Sequence, residues 1–174
     1  MSDNIVYGKY SMGSGSILSD HNLVYSSLDN EEVIQQYEKS VRMDIEKSGI
    51  PLAKIKNFNI MDVGTGRQAV AFYQIGAKRV HHYDISLDNV KTMNTYIERN
   101  SLHDRINSDF ADLVKYKLPN EKFDLVYLNG VVQHFSHVGI GLANCMNSIK
   151  RGGVFMALFL PLRHFPQICG LSYT

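Results

Sequence analysis

The sequence predicts an α/β fold, a doubly wound and mostly parallel sheet with helices on both faces. Short apolar runs alternate along the chain with segments whose apolar residues recur at helical spacing, the order expected for a parallel sheet. The segment Gly64-Thr65-Gly66, with Ala69 three residues on, joins the first run to a helix in the G-x-G-x-x-(G/A) pattern of nucleotide-binding folds. Because the carboxyl ends of parallel strands share one edge, polar residues at those ends predict a single site. Four successive runs end in such residues, which are Asp62, Asp84, Asp109 and Asn129.

The composition limits the classes of function. The chain has 174 residues, enough for one domain with a core, and its net charge of +1 gives no electrostatic case for nucleic acid or an anionic membrane. Cys145 and Cys169 have neither metal nor redox spacing, so a reducing, cytoplasmic setting is expected. The N-terminus lacks the charged and apolar regions of a signal peptide, and no apolar run is long enough to span a membrane.

The N-terminal part is predicted to precede the main domain as a separate unit. Residues 1–29 are expected to form an N-terminal arm or a lid, and residues 30–174 the ligand-binding domain. A helix over Glu31–Ser48 is predicted because Asn30 can cap it, apolar residues recur every four positions, and Gly49 follows.

Strand and helix patterns then alternate along the rest of the chain. Short buried runs bounded by turn residues predict strands, and apolar residues at helical spacing predict the helices between them. Ser86 can cap the helix after the second strand, and Gly152-Gly153 are expected to stop the last helix. The first predicted strand begins at Asn59. The other four predicted strands cover Arg79–Tyr83, Arg105–Ser108, Phe123–Leu128 and Val154–Leu160. The predicted helices cover Gln68–Gln74, Leu87–Asn100 and the segment around Leu142–Ile149.

Asp62 changes the ligand expected at the glycine turn. Its carboxylate would repel the pyrophosphate of a dinucleotide, whereas S-adenosylmethionine carries an ammonium and a sulfonium and no phosphate. The segment Asp62-Val63-Gly64-Thr65-Gly66 resembles the first motif of class I S-adenosylmethionine-dependent methyltransferases. Phe123-Asp124-Leu125-Val126 resembles the fourth motif, and Asn129–His134 resembles the N-G-V-L-x-H segment of many small-molecule methyltransferases. The resemblance covers the chain from about Asn59 to Leu160.

The resemblance implies where the cofactor S-adenosyl-L-methionine would bind. Its methionine part would be surrounded by Asp62, Gly64 and Gly66, and its amino acid end would be bordered by Asn129 and Gly130.

The nucleoside end of the cofactor would lie over the second and third strands. Asp84 would accept hydrogen bonds from both ribose hydroxyls, and Ile85 would cover one face of the adenine. Asp109 would accept a hydrogen from the adenine amino group, with Phe110 beside the ring.

The reaction implied is methyl transfer to a small-molecule acceptor. A base is needed only where the acceptor cannot lose its proton alone, and His134 is the candidate because it would lie just past the fourth strand. Packing at the start of a helix is the alternative interpretation of His134. His137 lies at i+3, but without a third ligand at motif spacing no metal site is expected.

A protein or RNA methyltransferase stays open as well, although the near-neutral charge disfavours RNA. Two other function classes also stay open in the sequence. The chain could be a non-catalytic binding or regulatory module that keeps the S-adenosylmethionine pocket. It could also be an NAD-dependent oxidoreductase with the same fold, although Asp62 argues against that.

The C-terminal part departs from the family pattern. Class I methyltransferases usually have two strands after the fifth, whereas Leu162–Thr174 is too short for them, so the sheet is expected to be truncated after the fifth strand. An apolar strand over Val154–Leu160 would then be an open edge, which favours pairing. A missing C-terminal segment, the N-terminal arm or a second protomer in a homodimer would cover that edge.

Overall fold

The computed structural model describes residues 28–158. The strands are β1 (Asn59–Val63), β2 (Arg79–Asp84), β3 (Ile106–Phe110), β4 (Phe123–Asn129) and β5 (Ile149–Leu158). The helices are α1 (Glu31–Lys47), α2 (Arg67–Gln74), α3 (Leu87–Arg99) and α4 (Val138–Asn147), with short 3₁₀ segments at Leu52–Asn57 and Val132–His134. The five strands form one sheet in the order β3-β2-β1-β4-β5, and each neighbouring pair is parallel. The predicted parallel sheet is therefore confirmed.

The alternation of side chains along the strands produces two separate cores. On one face, Ile60 of β1 and Val80 of β2 pack in a cluster that also contains buried residues of α1, α2 and α3. On the other face, Met61 and Tyr83 pack in a second cluster that includes Cys145 of α4. Helices therefore cover both faces, as the sequence predicts for a doubly wound fold.

Two boundaries differ from the sequence predictions. β3 continues through Asp109 and Phe110, which were expected to follow the strand, because it pairs with β2 as far as Asp84. The last helix ends at Asn147 rather than near Gly152, because the Ser148 hydroxyl caps it by donating to the Cys145 carbonyl at 2.6 Å.

β5 accordingly begins earlier than predicted. The carbonyl of Ser148 accepts the N–H groups of Lys122 and Phe123 at 2.8 and 3.0 Å, which brings the chain beside β4 at Ile149. The register then shifts, so Gly152-Gly153 lie in an irregularity of the strand rather than at a helix end.

Some predictions fall outside the described part of the chain. The arm or lid over residues 1–29 lies almost wholly there, as do the last two residues predicted for the fifth strand. Within residues 28–158, β5 has a strand neighbour on one side alone, so the prediction that another segment or protomer covers its edge stays a prediction. None of the helices in this range has the length and apolar content needed to cross a bilayer.

Candidate functional site

The glycine turn between β1 and α2 uses backbone angles that glycine adopts most easily. Gly64 has φ +130° and Gly66 has φ +83°. A Cβ on Gly64 would lie in ordinary van der Waals contact with Val131 Cγ2, at 3.7 Å, so among residues 28–158 a small group fits on this side of the turn. A Cβ on Gly66 would lie 2.9 Å from the sulfur of Met93. Gly64 therefore faces space that a ligand can enter, whereas Gly66 allows α3 to pack against the turn.

Asp62 lies in β1 one residue before its end and is fully buried. In the sheet register it has His82 of β2 on one side and Tyr127 of β4 on the other. Neither carboxylate oxygen has a hydrogen-bond partner within residues 28–158. Burial is the main reason why the pKa of Asp62 rises from 3.8 to about 7. The charge of Asp84 adds to the rise, and two nearby backbone N–H groups, those of the next residue and of Ala69 in α2, oppose it without reaching hydrogen-bond geometry. The site thus holds a buried carboxylate that lacks a counter-charge.

Asp84 ends β2 beside the start of α3 and is 7% exposed. Its Oδ1 accepts the Ser86 N–H at 2.7 Å, and its Oδ2 accepts an Asn89 side-chain N–H at 2.8 Å. Burial raises the pKa of Asp84, while the hydrogen bonds from these two donors lower it. The two bonds fix the plane of the carboxylate and leave each oxygen able to accept another hydrogen bond. The next residue, Ile85, is half-buried.

His82 is a site residue that the sequence analysis did not select. It is fully buried on the same face of β2 as Asp84, because the two are separated by one residue. Its Nδ1 lies 2.7 Å from the Ser108 hydroxyl, and its Nε2 lies 2.5 Å from the carbonyl oxygen of Gly64. The sequence signal that could have identified His82 is its position two residues before Asp84, which places both side chains on the same face of the strand.

The structure separates the two residues predicted to bind adenine. Asp109 pairs in register with Tyr83, and Phe110 pairs with Asp84, so these side chains belong to opposite faces of the sheet. Asp109 is exposed and its Oδ2 accepts an N–H of Asn107 at 3.0 Å. Phe110 is 48% exposed on the face of Asp84, which leaves its ring accessible to a ligand.

Asp112 is a second acid close to the end of β3. The Ala111 N–H donates to the Asp84 carbonyl at 2.9 Å, which keeps this part of the chain beside the end of β2. The side chain of Asp112 is only 14% exposed, with Oδ1 accepting the Val114 N–H and Oδ2 lying 3.5 Å from Lys115 Nζ. Its burial makes it as good a candidate for a ligand contact as the exposed Asp109.

The loop after β4 lies beside the glycine turn, as Val131 shows by its position close to Gly64. Asn129 ends β4 and donates weakly to the Tyr127 hydroxyl at 3.4 Å. Gly130 has φ +67° and its N–H donates to a carbonyl of β5 at 2.9 Å. His134 is half-buried in the 3₁₀ segment that follows, and burial lowers its pKa against the effect of a backbone bond to Gly130.

The sheet order brings most of the predicted site together. β1 lies between β2 and β4, and the chain crosses to opposite sides of β1 to form them, which is where ligands bind in open α/β sheets. The two buried acids, Asp62 and Asp84, give this edge a negative character that suits a cationic ligand with hydroxyl groups and opposes a phosphate. In the described part of the chain, no group of three or more His, Cys, Asp or Glu residues could hold a metal ion.

A known protein family matches this region. The family model described as "Methyltransferase domain" matches residues 61–157. The match therefore includes the last three residues of β1, all of β2 to β4, most of β5 and every site residue considered above. A comparison with curated protein sequences found no match.

Solved structures share the fold at low sequence identity. An S-adenosylmethionine-dependent methyltransferase from Mesorhizobium loti matches at 22% identity with a TM-score of 0.54, covering 63% of this chain and 48% of its own. Coclaurine N-methyltransferase bound to N-methylheliamine and SAH matches at 16% identity with a TM-score of 0.57, covering 68% and 34%. The [4+2]-cyclase SpnF matches at 19% identity with a TM-score of 0.53, covering 56% and 37%. The matched part of this chain thus spans about a third to a half of the length of each of these proteins.

Proposed function

The chain belongs to the methyltransferase-domain family, and from that premise we propose that it binds S-adenosyl-L-methionine and transfers a methyl group to a small molecule. The observation that supports the cofactor most directly is Asp62, a fully buried carboxylate whose oxygens have no partner within residues 28–158. Such a group is costly unless a donor or a positive charge compensates it. A ligand with an ammonium or a sulfonium provides that compensation, and one with a pyrophosphate does not.

The methionine end of the cofactor is assigned to the glycine turn and the loop after β4. Bound S-adenosyl-L-methionine would supply a methyl group that its sulfonium already activates. Asp62 would balance the positive charge, and Gly64 would leave the space that the ligand needs. Asn129 and Gly130 would border the amino acid group from the other side of β1.

The nucleoside end is assigned to the ends of β2 and β3. Asp84 is held by two donors and can accept one more hydrogen bond at each oxygen, which suits a pair of ribose hydroxyls. Ile85 and the half-exposed ring of Phe110 offer apolar surface to an adenine. The adenine amino group is assigned to Asp109, with Asp112 as the more buried alternative.

The acceptor is proposed to be a small molecule. The net charge of +1 offers no basic surface of the kind that RNA binding requires. His134 would act as the base where the acceptor needs one, because burial lowers the pKa of its imidazole and keeps it neutral and able to accept a proton near pH 7.

Two further proposals concern the setting of the protein. A cytoplasmic location is supported by two cysteines without disulfide spacing. The edge of β5 is proposed to pair with a further segment of chain or with a second protomer in a homodimer.

A non-catalytic module that binds the same cofactor is the second candidate function. The similarity to a [4+2]-cyclase shows that proteins of this fold can have activities other than methyl transfer, so the fold alone does not exclude such a module. An NAD-dependent oxidoreductase is disfavoured by the buried charge of Asp62 at the turn where a pyrophosphate would lie.

The test is a calorimetric titration of the purified full chain with S-adenosylmethionine, S-adenosylhomocysteine and NAD in parallel. We expect binding of the two sulfur compounds and none of NAD. Preference for NAD, or binding of none, would contradict the proposal. Labelled methyl transfer to a panel of small molecules then separates the enzyme from the binding module, since a module that binds without turnover would transfer no label.

A further inference from the structure

We propose that His82 is a positioning residue that fixes the orientation of the glycine turn for the cofactor, and that Ser108 holds its ring in place by pairing with the other ring nitrogen. The inference rests on the proposed function, because the turn is taken to bind S-adenosyl-L-methionine. It concerns a residue that lies beneath the turn rather than in contact with the ligand space.

The geometry joins three strands through one ring. His82 of β2 is fully buried and lies in register with Asp62 of β1 and with Ser108 of β3. Its Nε2 lies 2.5 Å from the Gly64 carbonyl oxygen and its Nδ1 lies 2.7 Å from the Ser108 hydroxyl. A Cβ added to Gly66 would lie 3.8 Å from Nε2, so the ring also lies close to the second glycine of the turn.

The partners of the ring determine its tautomer. A carbonyl oxygen can only accept, so Nε2 must carry the hydrogen that it donates to Gly64. In the neutral ring Nδ1 is then an acceptor, and the Ser108 hydroxyl, which can donate, satisfies it. Burial lowers the pKa of His82, against the opposing charges of Asp84 and Asp109, and so favours this neutral form. The Gly64 carbonyl therefore selects the Nε2–H tautomer, and the Ser108 hydroxyl satisfies the nitrogen that remains.

The bond to His82 also sets the direction of the next amide. The Gly64 N–H donates to the Tyr83 carbonyl at 3.1 Å, so β2 binds both the N–H and the C=O of this residue. In a planar trans peptide the C=O and the following N–H point in opposite directions. Because the Gly64 carbonyl is held toward the buried ring, the Thr65 N–H is directed away from the core, toward the side on which a ligand could approach.

The alternative is that His82 only fills space in the core. Gly64 has φ +130°, and glycine populates several backbone regions, so nothing in its own side chain prevents the peptide after it from rotating. An apolar ring of the same size would fill the space but could not hold the carbonyl. The donor at Nε2 therefore distinguishes positioning from packing.

The first experiment compares His82→Gln with His82→Leu in the full chain. Glutamine can place an N–H near the position of Nε2, whereas leucine has no donor. We expect S-adenosylhomocysteine to bind His82→Gln within about three-fold of the wild type, and His82→Leu about ten-fold or more weakly, the effect of losing one buried hydrogen bond. Equal affinities for the two variants and the wild type would overturn the proposal, as would equal losses in both.

A second pair of measurements covers the case in which His82→Leu does not fold. The ring nitrogens of wild-type His82, observed by ¹⁵N NMR without ligand at neutral pH, should show the Nε2–H tautomer. Ser108→Ala should weaken S-adenosylhomocysteine binding by about three-fold while the chain stays folded. A protonated Nδ1 in the neutral ring, or unchanged affinity in Ser108→Ala, would overturn the proposal.

These outcomes separate this inference from the proposed function. If the wild-type chain binds neither sulfur compound, the proposed function fails, while the NMR tautomer still reports whether His82 holds the turn. If the wild type binds and the donor at position 82 makes no difference, only the role of His82 fails.

Discussion

Two aspartates on neighbouring strands show how the two ends of this sheet differ. Asp124, near the amino end of β4, accepts the Asn59 N–H at 2.7 Å and binds Lys150 Nζ through both oxygens at 2.9 Å. Asp62, near the carboxyl end of β1, is more deeply buried and neither of its oxygens has a partner within residues 28–158. The same side chain is thus satisfied at one end of the sheet and unsatisfied at the other.

The difference separates structural from ligand-binding roles. Asp124 joins β1, β4 and β5, so its partners explain its presence through the fold alone. Asp62 destabilises the free fold when it ionises, because burial removes water and supplies no counter-charge. A polar group that costs stability in this way is expected where a ligand provides the missing partner.

The largest effect on ligand binding is expected at Asp84, the other buried acid at the carboxyl end of the sheet. Asp84→Asn should weaken S-adenosylhomocysteine binding by about 100-fold or more, because two charge-assisted hydrogen bonds to the ribose would be altered. Titration calorimetry measures this loss. Asp88→Asn is the matched control, since it removes the same charge from an exposed side chain four residues further along the chain. An equal loss of affinity in Asp88→Asn would show that the loss in Asp84→Asn comes from long-range electrostatics and not from contact with the ribose.

The pH dependence of binding tests Asp62 as the counter-charge. With a pKa of about 7, Asp62 is increasingly protonated as the pH falls below that value, and a neutral carboxyl attracts a cation poorly. S-Adenosylmethionine affinity should fall by about 30-fold between pH 8 and 5.5 in the wild type. The profile of Asp62→Asn should be nearly flat across this range, and a similar slope in that variant would mean that another group titrates.

The stability of the free chain should change in the opposite sense. Because the folded pKa of Asp62 lies above 3.8, the folded state holds the proton more tightly, and stability contributed by this group falls as the pH rises from about 4 to 7. Asp62→Asn should therefore raise the free energy of unfolding at pH 8, by up to about 4 kcal/mol, and have little effect at pH 4. Thermal unfolding at both pH values, without ligand, measures this. A variant that is less stable at pH 8 would show that the carboxylate is satisfied.

The smallest effect is expected from the matched substitution at the other end of the sheet. Asp124→Asn should lower the free energy of unfolding by about 1 kcal/mol, because the ion pair with Lys150 is partly exposed and its loss is moderated by solvent. Its affinity for S-adenosylhomocysteine should equal that of the wild type. Weaker binding by the folded Asp124→Asn chain would show that the aspartate at the amino end of the sheet also contributes to ligand binding, contrary to the comparison.

The site could be predicted only in part from the sequence. Asp62, Asp84 and Asn129 follow from the rule that parallel strands present their carboxyl ends at one edge, and the structure places all three there. His82 was missed because a histidine inside a strand has no local signal for the carbonyl that it will contact. Asp112 was not selected because Asp109 is nearer to the predicted strand end. Asp109 is the more exposed of the two, and this difference depends on packing.

The sequence by itself determined the order of strands and helices, the glycine turn and the acids at the strand ends. These depend on local properties, namely side-chain periodicity, helix caps and the backbone freedom of glycine. The tertiary structure alone decided that Asp62 has no partner within residues 28–158, that Ser108 reaches His82, and that Asp109 and Phe110 belong to different faces. Each of these depends on the register between segments far apart in the chain. Shifting a strand by one residue would move its side chains to the opposite face, and no short stretch of sequence determines that register.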